Sequence, residues 1–153
     1  MITGFGNISK LSVEMQATTS IVGLVFMILV IIGWWKIFTK AGESGWKSLI
    51  PIYNVYILFK ISWTTSAFWK MIIASFLAGV FEYLYLYVSQ GLIISLGFLI
   101  CSVVIIVIMF RMNFKLSNAF GHGILFGLGL LFFPYVFELI LGFGGSTYSK
   151  GSN

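Results

Sequence analysis

Apolar positions in this chain come in long unbroken runs, not in the alternation of a half-buried strand or the narrow stripe of a surface helix. Residues 21–38 are almost purely apolar. A helix of that length rises roughly 27 Å, close to the thickness of a bilayer's hydrocarbon core. Three further runs, 67–88, 91–112 and 123–143, have similar length and character. The pattern predicts an all-α fold, a membrane-spanning bundle of four helices. Residues 46–61 are also apolar but are interrupted by Pro51, Asn54 and Lys60. At roughly 24 Å if fully helical, this stretch is marginal for crossing. It reads as a short interfacial or re-entrant helix, with any backbone freed near Pro51 buried in protein or reaching water. Residues 1–19 read as a flexible N-terminal segment, 20–143 as a single transmembrane domain and 144–153 as a flexible, polar Gly/Ser tail. No internal repeat is visible.

Composition sharpens this reading. Hydrophobic residues make up 59% of the 153 and charged residues 8%, against a globular norm of about 25% charged. A water-soluble domain this small leaves too much surface exposed to hide so much apolar area. The formal net charge of +5 does not point to nucleic acid, because the basic residues are scattered among apolar runs and make no stripe. Lys36, Lys40, Lys47, Lys60, Lys70, Arg111 and Lys115 fall on one side of a four-span chain, leaving Lys10 and Lys150 for the other. This asymmetry predicts a multi-pass cell-membrane protein with its basic side in the cytoplasm and both termini outside. All five tryptophans lie among the cytoplasmic lysines, and Tyr83, Tyr85 and Tyr87 at the opposite end of the second span, as aromatic belts would. A fifth span over residues 49–61 would carry Lys60 and Lys70 outside, against that count. The first apolar run ends in Gly33-Trp34-Trp35-Lys36, unlike a cleavage site, and is read as remaining inserted. Asn7-Ile8-Ser9 fits a glycosylation pattern that we read as chance.

Candidate chemistry is sparse. Glu82 and Glu138 are the intramembrane carboxylates, costly groups that ordinarily have a function or a partner. Four spans would put both in the outer half of the bilayer. Facing each other they could share a proton or bind a cation; apart, they are hydrated groups or partners of Tyr83, Tyr85 or Tyr135. Gly123 and Gly127 have the GxxxG spacing that lets a neighbouring helix approach, and Pro134 is placed to kink the fourth span beside Glu138. Trp46, Lys47, Pro51, Tyr53, Asn54, Arg111 and Lys115 are candidate contacts for lipid or a partner at the cytoplasmic face. The bland reading of 46–61 is an amphipathic anchor. His122, the one histidine, reads as a hydrated turn residue, and Cys101 as a small buried hydrophobe. No phosphate-binding loop, HExxH or CxxC occurs, so no catalytic residue, metal or cofactor is expected. Ser48 adjoins Lys47, but adjacent helical residues do not face each other.

Two stretches carry a family resemblance. They are WKIFTKAGESGWKSLIPIYNVYILFKI at 35–61 and AFGHGILFGLGLLFFPYVFELILGFGGSTY at 119–148. Phe38, Lys40-Ala41-Gly42, Gly45-Trp46, Ile50-Pro51-Ile52-Tyr53-Asn54, Phe120-Gly121, Gly127, Gly129-Leu130, Pro134, Leu141-Gly142-Phe143-Gly144 and Tyr148 are the features in question. With them the chain resembles a family of small bacterial polytopic membrane proteins of unknown function, whose members often bear the automated label signal peptidase I. It departs from that pattern in having Ser75-Phe76-Leu77 and no proline in the second span, and in Glu138. The peptidase label implies a serine–lysine dyad on a large extracytoplasmic β domain, for which this chain has no room. The reading is a non-enzymatic membrane component acting through membrane lipids, other membrane proteins or self-association. The alternatives are a small proton- or cation-coupled transporter or channel using Glu82 and Glu138, and a membrane-embedded hydrolase.

Overall fold

The computed structural model describes residues 3–149, with side chains from residue 15 onward. The tail residues 150–153, Lys150 among them, and the side chains of Asn7, Ser9 and Lys10 lie outside the described residues. Six α-helices and a 3₁₀ turn follow one another: α1 Thr3–Lys40, the turn Gly45–Leu49, α2 Pro51–Ser62, α3 Thr65–Tyr87, α4 Leu92–Ala119, α5 Ile124–Phe132 and α6 Pro134–Phe143. Among the described residues there is no strand. Three stretches, Met15–Lys40, Thr65–Tyr87 and Leu92–Ala119, are long and apolar enough to cross a membrane. They bury little of themselves against one another. Large apolar side chains such as Phe76, Ile93 and Ile106 point outward, while Ala74 and Ala78 are buried. That inversion suits lipid as the solvent, with small residues where helices approach.

The helix ends follow from local chemistry. Gly42, at φ 77°, ends α1 in a Schellman motif: the Glu43 N–H donates to Phe38 O at 2.8 Å and the Gly42 N–H to Thr39 O at 3.1 Å. Gly121, at φ 75°, ends α4 in the same way, with His122 N–H donating to Ser117 O and Gly121 N–H to Asn118 O, both at 3.0 Å. Pro51 opens α2 at a position where its missing N–H costs nothing, behind an extended Ile50. α1 starts at Thr3, so the backbone is helical through most of the stretch that the sequence reads as flexible. No proline interrupts residues 3–20, and once the apolar run has nucleated a helix, each added residue extends it at small cost.

The expectation of one continuous helix over residues 123–143 is corrected. Residues 123–143 form two helices of 9 and 10 residues, not one. Phe133 is driven out of the α region by the ring of Pro134 that follows it, and adopts φ −131° and ψ 58°. The chain then reverses. α5 runs antiparallel to α4, Gly123 lying by Ser117 and Gly127 by Phe114. α6 runs parallel to α1, Tyr135 meeting Phe26, Leu139 meeting Gly33, and Leu141 and Gly144 meeting Lys40. Each arm is roughly 14–15 Å long, half a hydrocarbon core. The pair is a hairpin that enters and leaves at one end of the bundle.

The tail consequently lies at the same end as α2. The Tyr148 hydroxyl donates to Ile61 O at 2.9 Å, and the Ser149 N–H donates to Ala119 O at 2.7 Å. The start of α1, at Thr3, lies at the opposite end of the bundle from Tyr148 and Ser149. The α2 end also holds the main core, where Ile37, Phe38, Ile57, Leu58, Ile61, Leu116, Phe120, Leu130 and Leu141 pack together.

Candidate functional site

The polar and aromatic side chains converge on the α2 end. The Schellman turn at Gly42 aims Glu43 inward, where its carboxylate accepts from Lys47 and, at 2.7 Å, from Lys60. Only 13% of the Glu43 side chain is exposed, and 16% of Lys47, whereas Lys60 keeps 47% of its own in the open. Hydrogen bonds from Lys47 and then Lys60 hold its carboxyl below the usual range, and the same bond raises the Lys60 ammonium. Burial, and next the Glu43 charge, push the Tyr148 hydroxyl up. Lys40 caps the other partner, its Nζ donating to Leu141 O and Gly144 O at 2.7 Å each. An ammonium at the negative end of α6 thus satisfies carbonyls that the helix leaves unpaired.

Above this core lies an aromatic face. Trp46 stacks on Tyr53 with ring centroids 6.2 Å apart, and Tyr53 on Tyr56 at 5.7 Å. Lys47 sits over the Tyr53 ring. Pro51, Ile52 and Trp69 are exposed beside it. A groove of about 520 Å³ runs between Tyr53, Tyr56, Phe68 and Trp69. Trp46, Lys47, Pro51 and Tyr53 thus come together as one surface. Asn54 does not join them: it faces the interior at 1% exposure, and its Oδ1, like the buried Ser48 Oγ, has no hydrogen-bond partner among the described residues. Asn54 shares the buried face of α2 with Ile57, Leu58 and Ile61, at i, i+3, i+4 and i+7, against the expectation of a head-group contact.

Arg111 and Lys115 lie in a second groove, of about 330 Å³, with Trp63, Phe110, Phe114 and Asn118. The Arg111 guanidinium is 5.7 Å from the centre of the Trp63 ring. Trp63 gave no sign in the sequence of facing α4, because that contact depends on how α2 hands over to α3.

Glu82 and Glu138 are not brought together. Glu82 is exposed on α3 in a groove of about 430 Å³ with Tyr85, Leu86, Ser95 and Phe98, at the end away from α2. Glu138 is on α6 and accepts a 2.8 Å hydrogen bond from the Trp34 indole N–H. Trp34 is six residues, roughly 9 Å, from the end of α1, whereas Glu82 is roughly 25 Å along α3 from the same end. The hairpin is the reason: reversing at Pro134 returns Glu138 toward the basic end. The glycine pair also divides. A Cβ on Gly127 would lie 2.9 Å from the Phe114 ring, whereas one on Gly123 would meet nothing within 4 Å. The spacing therefore serves α4–α5 packing at one position only. Among the described residues, no group of His, Cys, Asp or Glu could hold a metal ion.

Residues 46–151, the part from the 3₁₀ turn through the tail, match a family described as a family of unknown function, DUF5684. No curated protein and no solved structure matches the chain.

Proposed function

We propose, for a chain that belongs to the family of unknown function DUF5684, a non-enzymatic role in a cell membrane, exercised through contact of its basic end with anionic lipid. The observation that carries this reading is the division of polar groups. Glu43 and Glu138 are consumed by internal bonds to Lys47, Lys60 and Trp34. What faces outward at the α2 end is instead aromatic and basic: Trp46, Trp69, Lys36, Lys70 and Arg111. Such a mixture suits the head-group layer, where indole rings and ammonium groups are both favoured. The lysine count argues for that end in the cytoplasm. Ser48 is buried and Lys47 is bound to Glu43, so the adjacent serine–lysine pair lends the hydrolase alternative no support. The transport alternative loses its paired carboxylates.

The test is quenching of tryptophan fluorescence in vesicles by brominated lipid. Brominated phosphatidylglycerol is expected to quench more than brominated phosphatidylcholine at equal mole fraction, and K36Q/K70Q to narrow the difference. Equal quenching by the two lipids in the wild-type protein would refute the reading.

A further inference from the structure

We infer that the groove between Trp63 and the last turns of α4 is a discrete site for one anionic phospholipid, with its phosphate on Arg111 and Lys115 and an acyl chain along Phe110 and Phe114. The inference rests on the lipid-contact reading above and gives it an address.

Depth is the first argument. Arg111 follows Leu92, the start of α4, by nineteen residues, a rise of roughly 29 Å. The hydrocarbon core is about 30 Å thick. The guanidinium therefore leaves the helix where the phosphates of one leaflet begin, and Lys115 and Asn118 follow one and two turns farther out.

The pattern on the helix is the second argument. Arg111, Lys115 and Asn118 stand at i, i+4 and i+7, a single stripe. Phe110 and Phe114, also one turn apart, form the adjoining stripe, their ring centroids 4.5 Å from each other. A polar stripe and an apolar stripe side by side match the two ends of a lipid. All five residues line the same groove, which Trp63 closes from the α2–α3 junction. Its volume, about 330 Å³, is at the lower end of the range of roughly 300–1,000 Å³ for small-molecule sites.

Electrostatics is the third. Among the described residues, Arg111 has no carboxylate partner, and its guanidinium lies over the Trp63 ring. An indole face holds the guanidinium plane while leaving its N–H edges able to bind a phosphate in bidentate fashion. Lysine could supply the charge but not that fork. With Arg111 and Lys115 both positive, a head group of net negative charge is preferred over a zwitterion.

Native mass spectrometry of the full chain in detergent tests this, with phosphatidylglycerol, phosphatidylcholine and free glycerol phosphate as probes. One phosphatidylglycerol per chain is expected to be retained over phosphatidylcholine, and glycerol phosphate at equal concentration is expected not to displace it. R111Q/K115Q should weaken retention roughly thirtyfold, the combined effect of two basic residues near a membrane surface. R111K, which keeps the charge and guards against a folding artefact, should fall between. K36Q/K70Q, at the same end but outside the groove, should leave this one tight lipid in place. Displacement by glycerol phosphate would overturn the lipid assignment in favour of a phosphate site. Retention by R111Q/K115Q with loss in K36Q/K70Q would overturn the groove and leave the general lipid reading standing. No preference for phosphatidylglycerol in the wild-type protein would overturn both.

Discussion

Gly142 of α6 rests directly on the backbone of Gly33 in α1, so that a Cβ at Gly142 would lie 2.6 Å from the Gly33 carbonyl oxygen. Neither partner is a flexible side chain able to move aside. G142A is therefore expected to destabilise the fold by about 1–3 kcal/mol, the usual cost of overpacking. G123A, where a Cβ meets nothing within 4 Å, should stay within about 0.5 kcal/mol of the parent protein. Thermal unfolding in detergent compares them, and equal losses would contradict the α1–α6 contact.

The hairpin makes a prediction about sidedness. In a Cys101→Ser background, single cysteines at Ser44, Ser89 and Gly145 can be probed with a membrane-impermeant maleimide. Ser44 and Gly145 are expected to react from one side and Ser89, in the α3–α4 connection, from the other. Reaction of Gly145 together with Ser89 would restore a fourth crossing.

Glu43 and Lys60 set the pH limits of the α2 end. The Glu43 pKa is lowered from 4.5 in the folded protein, so its contribution is complete above that value and is lost as pH falls through the folded pKa. The Lys60 pKa is raised from 10.5, so its contribution is complete below that value and is lost as pH rises through the folded pKa. Unfolding temperature against pH should therefore fall off below about 4.5. E43Q should flatten that acid limb while lowering stability at neutral pH. An unchanged acid limb in E43Q would remove the cluster from the account.

Tyr148 pins the tail by a hydrogen bond to Ile61 O and an edge contact with Phe120, ring centroids 5.3 Å apart. Y148F removes the bond alone and is expected to cost about 0.5–1.5 kcal/mol. Y148A removes the ring as well and should cost about 3–5 kcal/mol if the site does not refill. Limited proteolysis at the tail should follow the same order.

Glu138 is expected to act as a structural acceptor for Trp34. E138Q keeps a side-chain oxygen for the indole N–H and should change stability by under about 1 kcal/mol, whereas E138L leaves that donor unpaired at a cost of about 1–3 kcal/mol. A loss in E138Q as large as in E138L would show that the carboxylate's charge matters for itself.

Several features were legible because they are local. Gly42 and Gly121 had to end helices, and Pro51 had to begin one. Each follows from allowed backbone angles at single positions. The rule that bars the residue before proline from the helical region applies at Phe133 as it does at Ile50. Reading Pro134 as a kink within one helix instead of a boundary between two is what made residues 123–143 a single element, and the break returns Glu138 beside Trp34 of α1. The surface formed by Trp46, Lys47, Pro51 and Tyr53 was readable from spacing. Glu43 was missed because it lies in a loop, where a carboxylate ordinarily meets water, and only the fold brings Lys60 back to it.

The sequence by itself determined that this chain has helices long and apolar enough to cross a membrane, because its apolar positions come in runs too long for a half-buried surface helix. Three of the four apolar runs became long helices, each closed by its own backbone hydrogen bonds and needing no partner to exist. Direction after the break at Phe133 was decided by tertiary structure. Whether α6 continues outward or turns back depends on glycine-lined contacts to Phe114, Phe137 and Gly33 and on Lys40 reaching the end of α6. The contacts to Gly33 and Lys40 join positions roughly a hundred residues apart, and no periodicity along the chain records them.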